Sequence, residues 1–145
     1  MSGKRMMSSG ATTTTTTTAT HTLTLLLMMM IFQFQLGHGI WVPTPTTYTV
    51  GDNKGWSTGV TSWTDRKTFY VGDTLVFNYD KSWDSVYMVS ENDYYNCNYE
   101  NNDKKWNSGN DHILLGKTGM HYFISGYKGH CANNMKIAVN VHRSY

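Results

Sequence analysis

Near the C-terminal end, the stretch SGYKGHCANNMKIAVNV (residues 125–141) places His130, Cys131 and Met135 within six residues of one another. Imidazole, thiolate and thioether together are the donor types of a mononuclear blue-copper centre. Whether this stretch can bind copper depends on how Cys131 is used. The chain has one other cysteine, Cys97. In an exported domain of about 100 residues, an even cysteine count points to one disulfide. Closing such a loop stabilises a fold by about 3–4 kcal/mol on the chain-entropy account. A thiolate ligand and a half-cystine exclude each other, and the residue types alone leave both uses open.

Other chemistry is sparse. Ser125 lies five residues before His130, a nucleophile and a base by residue type, but no third residue or oxyanion motif accompanies them. There are no paired carboxylates in a glycosidase context and no phosphate-binding loop, so no enzyme is expected. His112 and His121 sit at strand starts, where a histidine is ordinarily a structural residue.

The elements that must hold these residues begin after a change of composition. Up to about residue 45 the chain is rich in Met and Thr, with seven consecutive threonines from Thr12 to Thr18. Lys4 and Arg5 precede an apolar stretch from Leu23 to Leu36, LTLLLMMMIFQFQL. A positive end followed by an apolar core of this length is the pattern of a secretory signal. Gln33 and Gln35 interrupt it, which makes it short and impure for a membrane span. Gly37 and Gly39 offer a small-x-small cleavage site, and cleavage just before Thr46 is the alternative. The competing reading is an uncleaved anchor helix running on through Ile40, Trp41 and Val42. The expected organisation is a leader over residues 1–45 and one domain over 46–145, with the mature N-terminus between Ile40 and Tyr48. The protein is expected to be secreted into the extracellular space or cell wall.

Lys4 and Arg5 are the only charges before residue 46, so of 12 Lys+Arg and 10 Asp+Glu the remainder carries ten of each sign. A neutral domain lacks the electrostatic footprint of a nucleic-acid binder. No Asn-x-Ser/Thr acceptor is present, and the final residues HRSY carry no apolar tail, so neither N-glycosylation nor a lipid anchor is expected.

From Tyr48 onward, short alternating apolar runs are separated by Gly, Asp and Asn. They are Tyr48–Val50, Phe69–Val71, Thr74–Tyr79, Ser85–Ser90, His112–Leu115, His121–Ile124 and Lys136–Val141. No segment keeps a helical period, although Glu91–Asn98 suits one or two helical turns. Such a series predicts an all-β fold, an antiparallel sandwich or barrel.

Five stretches carry a family likeness: YTVGDNKGW (48–56), FYVGDTLVFNYDKSWDSV (69–86), CNYE (97–100), WNSGNDHILL (106–115) and HYFISGYKGHCANNMKIAVNV (121–141). In order, spacing and residue type they resemble the phytocyanins, the plant extracellular cupredoxins, and among these the plantacyanin or basic blue protein pattern. The likeness covers essentially all of Thr46 to His142. It implies a cupredoxin-like Greek-key β-sandwich of seven or eight strands, one disulfide and a type 1 copper site at one end. The family's ligands are a His in the loop after the F-x-Y strand, then Cys-x4-His-x4-Met. Carried over position by position, they fall on Asp84, Ser125, His130 and Met135. Cys131 and Cys97 match the family's disulfide pair.

On that reading the stretch is a copper loop without its thiolate. Ser125 stands at the Cys position and Asp84 at the first His. A serine hydroxyl does not ionise at neutral pH, and a hard Asp oxygen does not suit a soft Met partner. The early nodulin-like phytocyanins are similar in having lost copper ligands. No cofactor is expected, or copper only weakly held through His130, Met135 and Asp84. As the neighbour of His130 in an extended chain, Cys131 is expected to point to the opposite face. The expected function is a non-redox binding or structural module. The alternative is the family's electron transfer through an altered site. Trp83 and Tyr127 flank the ligand positions with Asp84. They make that end the expected contact surface for an extracellular protein or a cell-wall glycan. A monomer is expected.

Overall fold

The computed structural model describes residues 16–36, 44–100 and 104–144, with side chains described from 21 to 32 in the first segment. The chain divides into two units, Met1–Trp41 and Val42–Tyr145. In the first, helix α1 spans Thr16–Leu36. It contains no Gly or Pro and is rich in Leu and Met, which favour helix. Its side chains at 21–32 are exposed. No described helix is long and apolar enough to cross a membrane. The Gly37–Gly39 cleavage candidate lies outside the described residues.

Among the described residues, the second unit contains eight strands in two sheets. In chain order they are β1 (Thr47–Thr49), β2 (Phe69–Tyr70), β3 (Thr74–Asn78), β4 (Val86–Val89), β5 (Lys105–Trp106), β6 (Asn110–Leu114), β7 (Gly119–Ser125) and β8 (Lys136–His142). One sheet has the order β1-β3-β6 and the other β2-β8-β7-β4-β5. Two short helices, α2 (Glu91–Asn96) and α3 (Lys128–Ala132), complete it.

Alternation in the sequence becomes the inward face of these strands. Leu75 and Phe77 of β3, Ile113 of β6 and Ile137, Val139 and Val141 of β8 are buried together with Trp56, Phe69 and Phe123. The rings pack edge to face, as Trp56 and Phe77 do at 5.0 Å between centroids. A second cluster of Val89, Tyr94, Cys97, Ile124 and Cys131 lies beside it. The Cys97–Cys131 disulfide closes here, with Cα atoms 5.8 Å apart and a sequence separation of 34. α2 starts on Ser90, whose hydroxyl accepts from the Asp93 amide at 3.1 Å. Ser-x-x-Asp before a helix is a capping signal readable in the sequence.

The expected sandwich is present with two parallel pairs in it, and one expectation needs correction. Among the described residues six strand pairs form and four are antiparallel, but β1 pairs with β3, and β2 with β8, in parallel. Parallel neighbours need a crossover. Residues 50–73 supply one, leaving β1, contributing β2 to the other sheet and returning as β3. Residues 130–131, expected to be extended, are not. They lie in α3, where successive side chains project about 100° apart.

Candidate functional site

The register of two strands builds the site. Val86 of β4 pairs with Ser125 of β7, so the end of β7 lies beside the residues just before β4. Gly126 allows the close approach: a Cβ there would stand 1.9 Å from Ser85 Oγ. Before β4, the Asp80 carboxylate accepts from the Ser82 amide at 2.9 Å, and the Asp80 carbonyl accepts from the amides of Trp83 and Asp84. This tight turn leaves Trp83 74% exposed, while the Asp84 side chain is only 4% exposed.

Asp84 is the hub. Its Oδ1 accepts from the Ser85 amide and from the Ser125 hydroxyl, both at 2.7 Å. Its Oδ2 lies 2.6 Å from His130 Nδ1. A carboxylate only accepts, so that nitrogen carries the proton. The buried Ser125 hydroxyl also accepts from the Tyr127 amide at 3.0 Å. No buried side-chain nitrogen or oxygen among the described residues lacks a hydrogen-bond partner.

α3 supplies the imidazole. The His130 amide donates to the Tyr127 carbonyl at 2.9 Å, and the His130 carbonyl accepts from the Met135 amide at 3.0 Å. The Met135 carbonyl in turn accepts from the Ser125 amide at 3.0 Å. The loop from 125 to 135 is therefore closed on itself. The Tyr127 ring packs on the His130 ring at 4.6 Å. Helical geometry turns Cys131 into the buried second cluster while His130 stays partly exposed.

A cleft of about 280 Å³ opens over this network, lined among others by Trp56, Tyr79, Trp83, Asp84, His130 and Met135. Tyr79 and Trp56 were not among the residues the sequence singled out. Both lie inside family-like stretches, but an aromatic in a strand or turn ordinarily signals packing alone. The Tyr79 hydroxyl donates to Asp111, which also takes the Ser108 hydroxyl at 2.7 Å. Burial first, then this hydrogen bond and the Asp111 charge, hold the Tyr79 phenol above the usual range, so it stays protonated.

Asp84, Ser125, His130 and Met135 are thus brought to one end of the domain, with Trp83 on the cleft wall and Tyr127 against His130. As donors they offer a carboxylate, a hydroxyl, an imidazole and a thioether. Both cysteines are in the disulfide, and among the described residues no cluster of three or more His, Cys, Asp and Glu could hold a metal ion. Ser125 gives its hydroxyl to Asp84, so the serine–histidine pair of a hydrolase does not form.

Two facing sheets, a disulfide between α3 and the residue after α2, and a loop site at the end of β7 define a cupredoxin-type β-sandwich. The sequence model described as "Plastocyanin-like domain" matches residues 53–135. A blue copper protein of Pisum sativum is 44% identical over 101 residues, which cover 68% of this chain and 53% of that protein. Early nodulin-16 of Medicago truncatula is 36% identical over 69% of this chain and 59% of its own length. The structure of cucumber basic protein, a blue copper protein, superposes with a TM-score of 0.64 at 41% identity, over 66% of this chain and 99% of that one. The chain belongs to the plastocyanin-like domain family, among the phytocyanins. It spans about half the length of the pea protein and nearly all of the cucumber domain.

Proposed function

We propose that this protein is an exported phytocyanin domain in which a hydrogen-bonded polar network stands at the copper position, and that it acts outside the cell as a non-redox binding module. The observation that carries the reading is the Asp84 carboxylate, shared between Ser125 and His130. The intense colour and tight binding of a type 1 site come from a copper–thiolate bond. Ser125 has no thiolate to give, and Cys131 is held by Cys97. His130 Nδ1 and both Asp84 oxygens are already hydrogen-bonded. The donor set therefore does not fit type 1 copper. Export rests on Lys4, Arg5 and the Leu23–Leu36 stretch. It is tested by sequencing the secreted protein, and a start before residue 37 overturns it.

Copper titration of the mature domain, followed by visible absorption, tests the central reading. No intense band is expected, and a strong blue band in the unmodified protein overturns it. The double substitution Ser125→Cys with Asp84→His is expected to turn blue with one equivalent of copper.

A second reading, electron transfer through an altered copper site, is favoured by one observation. His130 and Met135 line the same cleft. Among the described residues, His130 Nε2 has no hydrogen-bond partner. The same titration decides between the two.

A further inference from the structure

Beyond Trp83 the cleft continues. It shares Ser57 and Thr58 with a second hollow of about 180 Å³ that runs over Lys54 and Trp63. That hollow shares Gly59 and Ser62 with a third, of about 330 Å³, bounded by Asp65 and Asn134. The three form one open, shallow groove along the wall made by the residues between β1 and β2.

Its lining has a consistent chemistry. An exposed indole stands at one end. Away from the cleft floor the lining is hydroxyl, carboxamide and glycine in the main, with Lys54 as a cation and Asp65, Asp80 and Asp84 as carboxylates. Among the described residues, the side chains of Thr58, Ser62 and Asn134 make no hydrogen bond of their own, and all three are exposed. Their donors and acceptors are free for a ligand. The described exposed large apolar side chains of the domain are Trp83, Tyr95, Leu114, Met120 and Tyr127, and none is aliphatic along this groove. A protein partner needs an apolar anchor cluster that excludes water at the centre of its interface. This groove has no such centre.

We propose that the groove binds a neutral, linear oligosaccharide, one ring stacked on Trp83 and the following rings laid over Thr58, Ser62 and Asn134. A sugar ring has an apolar face for an indole and hydroxyls for the polar wall. An open groove lets the chain continue past both ends. An excess of carboxylates over cations along the groove matches a neutral polymer better than an acidic one. This inference rests on the binding-module reading and names its ligand class.

The test titrates the secreted protein by calorimetry with gluco-, manno- and xylo-oligosaccharides, all β-1,4-linked, from two to six rings. In at least one series, affinity is expected to rise with length and then level. Trp83→Ala is expected to weaken every length about tenfold, the size of a lost aromatic anchor. Thr58→Arg, placed where the first two hollows meet, is expected to abolish the gain with length. Affinity independent of length, or no binding in any series, overturns the inference. Retention of a protein partner that depends on Trp83, without saccharide binding, overturns it too but leaves the binding-module reading standing. A blue copper band overturns that reading itself.

Discussion

Asp73 and Asp84 are both carboxylates with little side-chain exposure, yet they do different things. Asp73 is 2% exposed and accepts from the amides of Thr46 and Tyr70, each at 2.8 Å. Its partners are all backbone, and it fixes where the chain enters β1 and leaves β2. Asp84 ties one backbone amide to two side chains, Ser125 and His130, which lie 41 and 46 residues further along. One of those partners reaches a solvent-open cleft. Asp73 serves the fold alone, whereas Asp84 sets what the cleft floor can offer a ligand.

The largest effect belongs to Asp73. Asp73→Ala removes the buried acceptor of two part-buried amides, and a donor left unsatisfied away from water costs about 1–3 kcal/mol. A loss of about 2–4 kcal/mol is expected in urea unfolding, with the groove's ligand affinity unchanged. A loss under about 1 kcal/mol would erase the distinction drawn above, because Asp73 would then be dispensable to the fold.

Asp84→Asn is expected to cost less, about 1–2 kcal/mol, because His130 is partly exposed and water can replace the lost partner. The site readout is sharper. An amide offers one oxygen to three donors, so His130 must present a bare Nδ1 and move its proton to Nε2. Nitrogen NMR of the ring reads that tautomer directly. An unchanged tautomer would show that Asp84 does not orient the imidazole.

A third buried carboxylate, Asp111, extends the comparison through Tyr79. The phenol is held above its ordinary range, by burial first. The folded state therefore keeps a proton that the unfolded state releases near pH 10. This contribution to stability is complete below about pH 10 and is lost as pH rises beyond it. Tyr79→Phe has no such proton, so its alkaline decline in stability is expected to be shallower than that of the parent. Equal slopes would refute the assignment.

The smallest stability effect is expected at Trp83. Removing a side chain that is 74% exposed should change unfolding free energy by no more than about 0.5 kcal/mol. A larger loss would make Trp83 part of the packing and weaken its claim as a ligand platform.

Much of this molecule is legible in the chain itself. Short apolar runs set out the positions of β3, β4, β6, β7 and β8, and in β6 and β8 burial alternates as it must in a strand half-sunk in a core. The family likeness supplied the sandwich and the Cys97–Cys131 pairing, and it aligned Asp84, Ser125, His130 and Met135 as one set. Other features needed the tertiary structure. β5 has only two residues, Lys105–Trp106, too few to show a period, and exists because β4 offers an edge. The parallel pairs arise from a crossover between sheets, which no local pattern encodes. α3 winds within the 125–135 loop, which is closed at both ends by backbone hydrogen bonds. Most of all, a sequence can show that Ser125 and Asp84 occupy ligand positions, but not that they bond to each other. That depends on the β4–β7 register, which brings distant polar groups into an enclosed space where each must find a partner.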